Sequence, residues 1–134
     1  MKFTIFTDGG ARGNPGPAGI GGVLIDEEKK KKHTFGKYIG RTTNNQAEYK
    51  ALIHALEEAK KLGATEVSCF LDSELVVKQL NREYRVKDAG LGPLFLHVWD
   101  LTKNFKKIHF THVRRERNKE ADAMVNKAID EAII

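Results

Sequence analysis

The chain has 134 residues, 40% of them apolar, which suits one domain spanning residues 1–134 and leaves too little for two separate cores. Charged residues make up 31% and both signs are mixed, which excludes a disordered tail, and no apolar run approaches the roughly 18–20 residues that span a bilayer. The net charge of +5 and a pI near 9.3 favour a polyanionic partner over a membrane.

Lys2 to Thr7 alternates Phe3 and Ile5 against Lys2, Thr4 and Phe6 and predicts a first strand. Gly9 to Gly19, rich in Gly and Pro, predicts a loop. Ile20 to Ile25 predicts a second strand, Asp26 to Lys32 a solvated charged turn, and His33 to Ile39 a third strand, the last two strands forming a hairpin. From Asn45 to Leu62, the residues Ala47, Ala51, Leu52, Ala55, Leu56, Ala59 and Leu62 recur at helical spacing, and Gly63 stops the helix. Glu66 to Leu71 predicts a fourth strand and Ser73 to Leu80 a short helix. Tyr84 to Gly92 reads as irregular. Pro93 to Phe105 predicts a helix whose register places Trp99 in the core, and Lys107 to Val113 a fifth strand. A charged loop from Arg114 to Lys119 leads to a last helix through Ala121, Val125, Ala128 and Ile129.

The order β-β-β-α-β-α-α-β-α predicts an α/β fold: antiparallel hairpins first, then parallel strands, in one mixed sheet covered by helices. Cys69, the single cysteine, lies in the apolar run from Val67 to Leu71 and reads as a buried core thiol. The opening MKFTIFTDGG has no signal-peptide pattern, and these absences together point to a cytoplasmic protein.

Four carboxylates fall at element ends: Asp8 after the first strand, Glu48 in the first turn of the long helix, Asp72 after the fourth strand, and Asp122 in the first turn of the last helix. Each has an ordinary reading. Asp8 precedes two glycines and suits a turn. Glu48 suits a capping box with Asn45, Asp72 an N-cap, and Asp122 the favourable end of a helix dipole. Two strand ends and two helix starts can also converge at one sheet edge, where ligands of open α/β sheets bind. Carboxylates gathered there repel one another and require cations. An all-oxygen donor set suits Mg²⁺ or Mn²⁺, and two such ions can promote in-line displacement at phosphorus.

Four segments give these acids a common context: Thr7-Asp8-Gly9-Gly10-Ala11-Arg12-Gly13-Asn14-Pro15-Gly16-Pro17-Ala18-Gly19, Arg41-Thr42-Thr43-Asn44-Asn45-Gln46-Ala47-Glu48, Asp72-Ser73-Glu74-Leu75-Val76, and Arg114-Arg115-Glu116-Arg117-Asn118-Lys119-Glu120-Ala121-Asp122. In this order and spacing they closely resemble type 1 ribonuclease H, over nearly the whole chain. The resemblance implies a ribonuclease H-like fold with a five-stranded mixed sheet. It implies cleavage of the RNA strand of RNA–DNA hybrids, leaving 3′-hydroxyl and 5′-phosphate ends. It assigns Asp8, Glu48, Asp72 and Asp122 as ligands of two Mg²⁺ ions, with Mn²⁺ as a substitute.

The resemblance also assigns substrate contacts. Arg41 and Thr43 match residues that hold a phosphate of the DNA strand, and a guanidinium beside helix-start N–H groups suits that task. Thr43 with Gln46 reads equally as a helix cap. Asn14, Asn44 and Gln46 match positions near the RNA 2′-hydroxyls, the group that distinguishes RNA from DNA. Gly9, Gly10, Arg12 and Glu74 complete the expected contact set; Glu74 stands where many members have Gln, and Arg12 reads equally as a solvated loop residue.

Several departures accompany the match. Arg82 to Trp99 is too short for the basic, Trp-rich insertion of many bacterial members, as in archaeal-like forms. Asp88 is the nearest residue to a third phosphate-pocket position. In place of a flexible-loop histidine the alignment puts Arg115, which can stabilise charge but not donate a proton at a useful pKa. His112 is the competing residue. The expected state is a monomer. Double-stranded RNA as an added substrate, or a binding module of the same fold without catalysis, are the alternative readings.

Overall fold

The computed structural model describes residues 1–133. Strands β1 (Lys2–Ala11), β2 (Gly16–Asp26) and β3 (Lys31–Thr42) form an antiparallel meander. Helix α1 (Asn44–Lys61) leads to β4 (Glu66–Leu71), which lies parallel to β1. Helices α2 (Glu74–Leu80) and α3 (Gly92–Thr102) precede β5 (Lys107–His112), which is parallel to β4, and α4 (Lys119–Ala132) follows. The strand order is β3-β2-β1-β4-β5, so the expected five-stranded mixed α/β sheet forms.

The main core lies between one sheet face and α1, α2 and α3. Phe3, Ile5 and Leu24 meet Tyr49, Leu52, Leu56, Val76 and Val98, all fully buried. Each large aliphatic side chain buried there contributes roughly 1.5–3 kcal/mol. The buried Tyr49 hydroxyl donates to Gln79 Oε1 at 2.7 Å, so α1 and α2 are joined by a satisfied polar pair. Helix α4 packs on the other face through Ala121, Val125 and Ile129.

Glycine decides how closely both layers approach. A Cβ on Gly9 would lie 2.2 Å from the Ala47 carbonyl oxygen of α1, and one on Gly21 would lie 2.5 Å from the Ala121 carbonyl oxygen of α4. The predicted loop over Gly9 to Gly19 therefore does not form. Gly9, Gly10 and Ala11 pair with Ile20, Gly19 and Ala18, extending both strands, and only residues 12–15 connect them. Gly9 and Gly19 serve helix packing on a sheet, whereas Gly13, with φ of 95°, serves the short remaining turn.

Two other expectations change. Trp99 is 37% exposed: α3 buries Val98 and Leu101, and the indole instead faces solvent with the Arg82 guanidinium 4.3 Å above its ring centre. Helix α3 also stops at Thr102, three residues short of Phe105, which still reaches the core. The charged turn after β2 is closed by Asp26, whose Oδ1 accepts from the N–H groups of Glu28 and Lys29 at 3.0 and 3.1 Å. No helix among the described residues is long and apolar enough to cross a membrane.

Candidate active site

Register brings the first two acids together. Parallel β1 and β4 pair Thr7 with Leu71, so the next residue of each strand, Asp8 and Asp72, emerges side by side. Asp8 is thus an interior residue of β1, three positions before its end, rather than the strand-terminal turn residue expected. Asp72 does not cap α2: Ser73 is the N-cap, its Oγ accepting from Val76 N at 3.3 Å.

Glu48 arrives from α1. Thr43 is the N-cap, its Oγ1 accepting from Gln46 N at 3.2 Å, so Glu48 belongs to the second turn and takes no part in capping. Because Gly9 carries no side chain, the helix lies close enough for Glu48 Oε1 to accept from Gly9 N at 3.2 Å. Its other oxygen, Oε2, is buried without a partner. Oxygens of Asp8, Glu48 and Asp72 all lie within 4.8 Å of one another. Asp122, at the start of α4, borders the same cleft beside Asp8 without joining that close triad.

Asp8 and Glu48 are each 6% exposed. Burial raises the pKa of Asp8, and the charge of Glu48 and then of Asp72 raises it further. Burial likewise raises Glu48, and the charge of Asp72 raises it further. Three hard oxygen donors, one of them buried and unsatisfied, fit a divalent cation that would replace the missing partner and offset the repulsion.

The cleft has a volume of about 470 Å³ and is bordered by Gly9, Gly10, Arg12, Asn44, Ser73, Arg115 and Asn126 as well as by Asp8, Glu48 and Asp122. This geometry can be set beside known proteins. A family model described as "Reverse transcriptase-like" matches residues 6–128. The "Ribonuclease H" of Pseudomonas fluorescens is 32% identical over 141 residues, covering 95% of this chain and 91% of that protein. The chain belongs to the type 1 ribonuclease H family. The "Bifunctional protein Rv2228c" of Mycobacterium tuberculosis is 44% identical over 133 residues; the alignment covers 98% of this chain but spans only 36% of that relative. The structure of LC11-RNase H1 in complex with an RNA/DNA hybrid superposes with a TM-score of 0.92 at 45% identity, covering 98% of this chain and 99% of that one.

The remaining ribonuclease H candidates differ in their surroundings. Asn14, Asn44, Thr43 and Gln46 are knitted together at the start of α1. Asn14 Oδ1 accepts from Asn44 N at 3.0 Å, Asn44 Oδ1 accepts from Ala11 N at 2.8 Å, and the Thr42 hydroxyl donates to Gln46 Oε1. Arg41 is exposed at the end of β3, beside this group in sequence. Arg12 is tied elsewhere: its Nη1 lies 2.6 Å from Asp130 Oδ1 and its Nη2 donates to the Asn126 carbonyl at 3.3 Å, so it braces α4. Glu74 pairs with Lys78 at 3.0 Å on the exposed side of α2. Asp88 turns inward on its own loop, its Oδ1 accepting from Gly90 N at 2.7 Å.

Arg115, in the short 3-10 turn Arg115–Arg117, borders the cleft and lowers the pKa of Glu48 by its charge. His112 is the last residue of β5, pairs with Leu71 and lies near Glu74, and it is not among the residues bordering the cleft. Sequence reasoning gave no role to Asn118, which is 2% exposed. Its Nδ2 donates to the Thr7 carbonyl at 2.8 Å and to Asp72 Oδ2 at 3.4 Å. The available signal was its place four residues before Asp122, at the mouth of a helix, where an asparagine is normally read as a cap.

Proposed function

We propose that this chain, acting as one cytoplasmic domain and as a monomer, is an endoribonuclease that cleaves the RNA strand of RNA–DNA hybrids. The observation that supports this reading is the close Asp8–Glu48–Asp72 triad, with an unsatisfied buried Glu48 oxygen, in a member of this family. Asp8, Glu48, Asp72 and Asp122 would hold two Mg²⁺ ions, with Mn²⁺ as a substitute. When bound, such ions activate water and offset charge on the scissile phosphate.

The bond from water oxygen to phosphorus forms as the bond from phosphorus to the 3′-oxygen breaks. That oxygen takes a proton, so the products carry 3′-hydroxyl and 5′-phosphate ends. Arg41 and the start of α1 at Thr43 hold a phosphate of the DNA strand. Asn14, Asn44 and Gln46 face the minor groove, where the RNA 2′-hydroxyl marks the strand to be cut. The Gly9–Gly10 backbone lets that strand approach the acids closely, and Glu74 flanks it.

Arg115 stabilises charge on the departing phosphate group. Arg115→Ala is expected to reduce turnover about 10-fold or more, by analogy with loss of one charge-stabilising donor, while His112→Ala stays near wild type. Single-turnover cleavage of both variants decides this; a crippled His112→Ala beside an unaffected Arg115→Ala reverses the assignment.

The test of the function is cleavage of labelled RNA–DNA, RNA–RNA and DNA–DNA duplexes of one sequence with Mg²⁺ or Mn²⁺. The expected result is cutting of the RNA strand in the hybrid, with 5′-phosphate products. Binding without cutting points to a recognition module, and equal cutting of double-stranded RNA to a broader nuclease; no hybrid cleavage with either ion overturns the proposal.

A further inference from the structure

Asn118 sits at the start of α4, where an asparagine side chain ordinarily accepts a hydrogen bond from a helix N–H. It makes no such bond. Its backbone carbonyl accepts from Asp122 N at 3.1 Å, so the helix begins without help from the amide. The side chain instead turns inward. Nδ2 reaches the Thr7 carbonyl at 2.8 Å and Asp72 Oδ2 at 3.4 Å, while Oδ1 is buried with no partner.

A residue chosen only to start a helix would not leave one polar atom unsatisfied and forgo the cap. What the inward rotamer gains is a junction. One amide joins the backbone just before Asp8, the carboxylate of Asp72, and the helix that carries Asp122. The Thr7 carbonyl fixes which end of the amide is the donor, so Nδ2–H is the group presented to Asp72. A neutral donor there restricts the rotation of the carboxylate without adding charge to a crowded site.

We propose that Asn118 is a positioning residue that orients Asp72 and locks the start of α4 to β1 at Thr7 and to the residue that follows β4, so that the acids meet a divalent cation in one prearranged geometry. This rests on the metal-assisted reading above. Outer-shell partners of this kind set cation affinity and rate about 10–100-fold without touching the substrate.

The test compares wild type with Asn118→Ala by calorimetric titration of Mn²⁺ into the metal-free protein, and by kcat and KM for hybrid cleavage across Mn²⁺ concentrations. The expected result is about 10-fold or greater loss of Mn²⁺ affinity. A similar fall in kcat should be partly recovered at high Mn²⁺, with KM for the hybrid little changed. Val98→Ala, in the core under α3, serves as a destabilised control and should leave Mn²⁺ affinity unchanged. If Asn118→Ala does not fold, Asn118→Ser is measured in its place. Unchanged Mn²⁺ affinity and metal dependence in the folded variant, or equal losses in Val98→Ala, overturn the proposal. Wild type that binds Mn²⁺ but does not cleave hybrid refutes the nuclease reading alone, and the calorimetry still decides on Asn118. Wild type that binds no Mn²⁺ refutes both.

Discussion

Asp8→Asn is expected to abolish hybrid cleavage and at the same time to make the metal-free protein more stable. The loss of activity should be on the order of 10³-fold or more, because Asp8 is proposed as a direct ligand and outer-shell changes alone cost about 10–100-fold. The gain in stability has a separate cause. Asp8 is buried beside Glu48 and Asp72, and burial, then the charge of Glu48, raises its pKa. Glu48 is raised as well, chiefly by burial. The folded, metal-free protein therefore holds protons that the unfolded chain releases above about pH 4. Since the folded state binds more protons, this contribution to stability is present at low pH and is lost as pH rises toward the raised values. Asparagine removes the charge and keeps the shape. Near pH 8 without metal, a gain of about 1–2 kcal/mol is expected, corresponding to about 3–8 °C in Tm for a domain of this size. Divalent cation should stabilise wild type more than the variant. Thermal unfolding in EDTA across pH 5 to 9 measures this; a variant less stable than wild type near pH 8 contradicts the electrostatic picture.

Gly9→Ala should be a severely damaging single-methyl change, because it falls where α1 meets the acid cluster. The added Cβ would fall 2.2 Å from the Ala47 carbonyl oxygen and 2.5 Å from Glu48 N, and both belong to helix backbone that cannot rotate away. Overpacking of this kind costs about 1–3 kcal/mol, and the upper end or beyond applies when backbone is the neighbour. Relief requires α1 to lift from β1. That movement breaks the Gly9 N–Glu48 Oε1 bond and takes Glu48 out of the triad. Activity should therefore fall with stability, and not be restored by cooling to where the variant is folded. Gly10→Ala is a local control for stability, because a Cβ there meets only Val125 Cγ1, at 3.7 Å. Urea unfolding and residual cleavage of the two variants check this; a wild-type midpoint for Gly9→Ala would show that the helix is not held where described.

The same glycines mark where sequence reading fell short. Gly9 and Gly10 read as loop because glycine commonly marks turns, yet here both pair within the sheet, and the missing side chain of Gly9 lets α1 press on the strand. That use depends on a partner distant in the chain, Ala47, which local pattern does not reveal. Element order and sheet class were legible because alternation and helical spacing are local. The acids of the close triad were also legible, but the ordinary readings of Glu48 and Asp72 as cap residues fail for specific reasons. Thr43 and Ser73 supply the caps, leaving Glu48 and Asp72 free. Trp99 shows the converse error: helical register allowed a core position, but Val98 and Leu101 already supply the buried face of α3. Asn118 was hidden because its sequence position matches a cap, whereas its rotamer makes it a bridge from α4 to a strand 111 residues earlier in the chain.

The central claim is that this carboxylate cluster works only through a divalent cation. It is tested most directly by the rate of RNA-strand cleavage in an RNA–DNA hybrid as EDTA-treated wild-type protein is titrated with Mg²⁺. No cleavage before addition, followed by a saturable rise and renewed loss on excess EDTA, is the predicted result. Cleavage at the full rate in excess EDTA would contradict it.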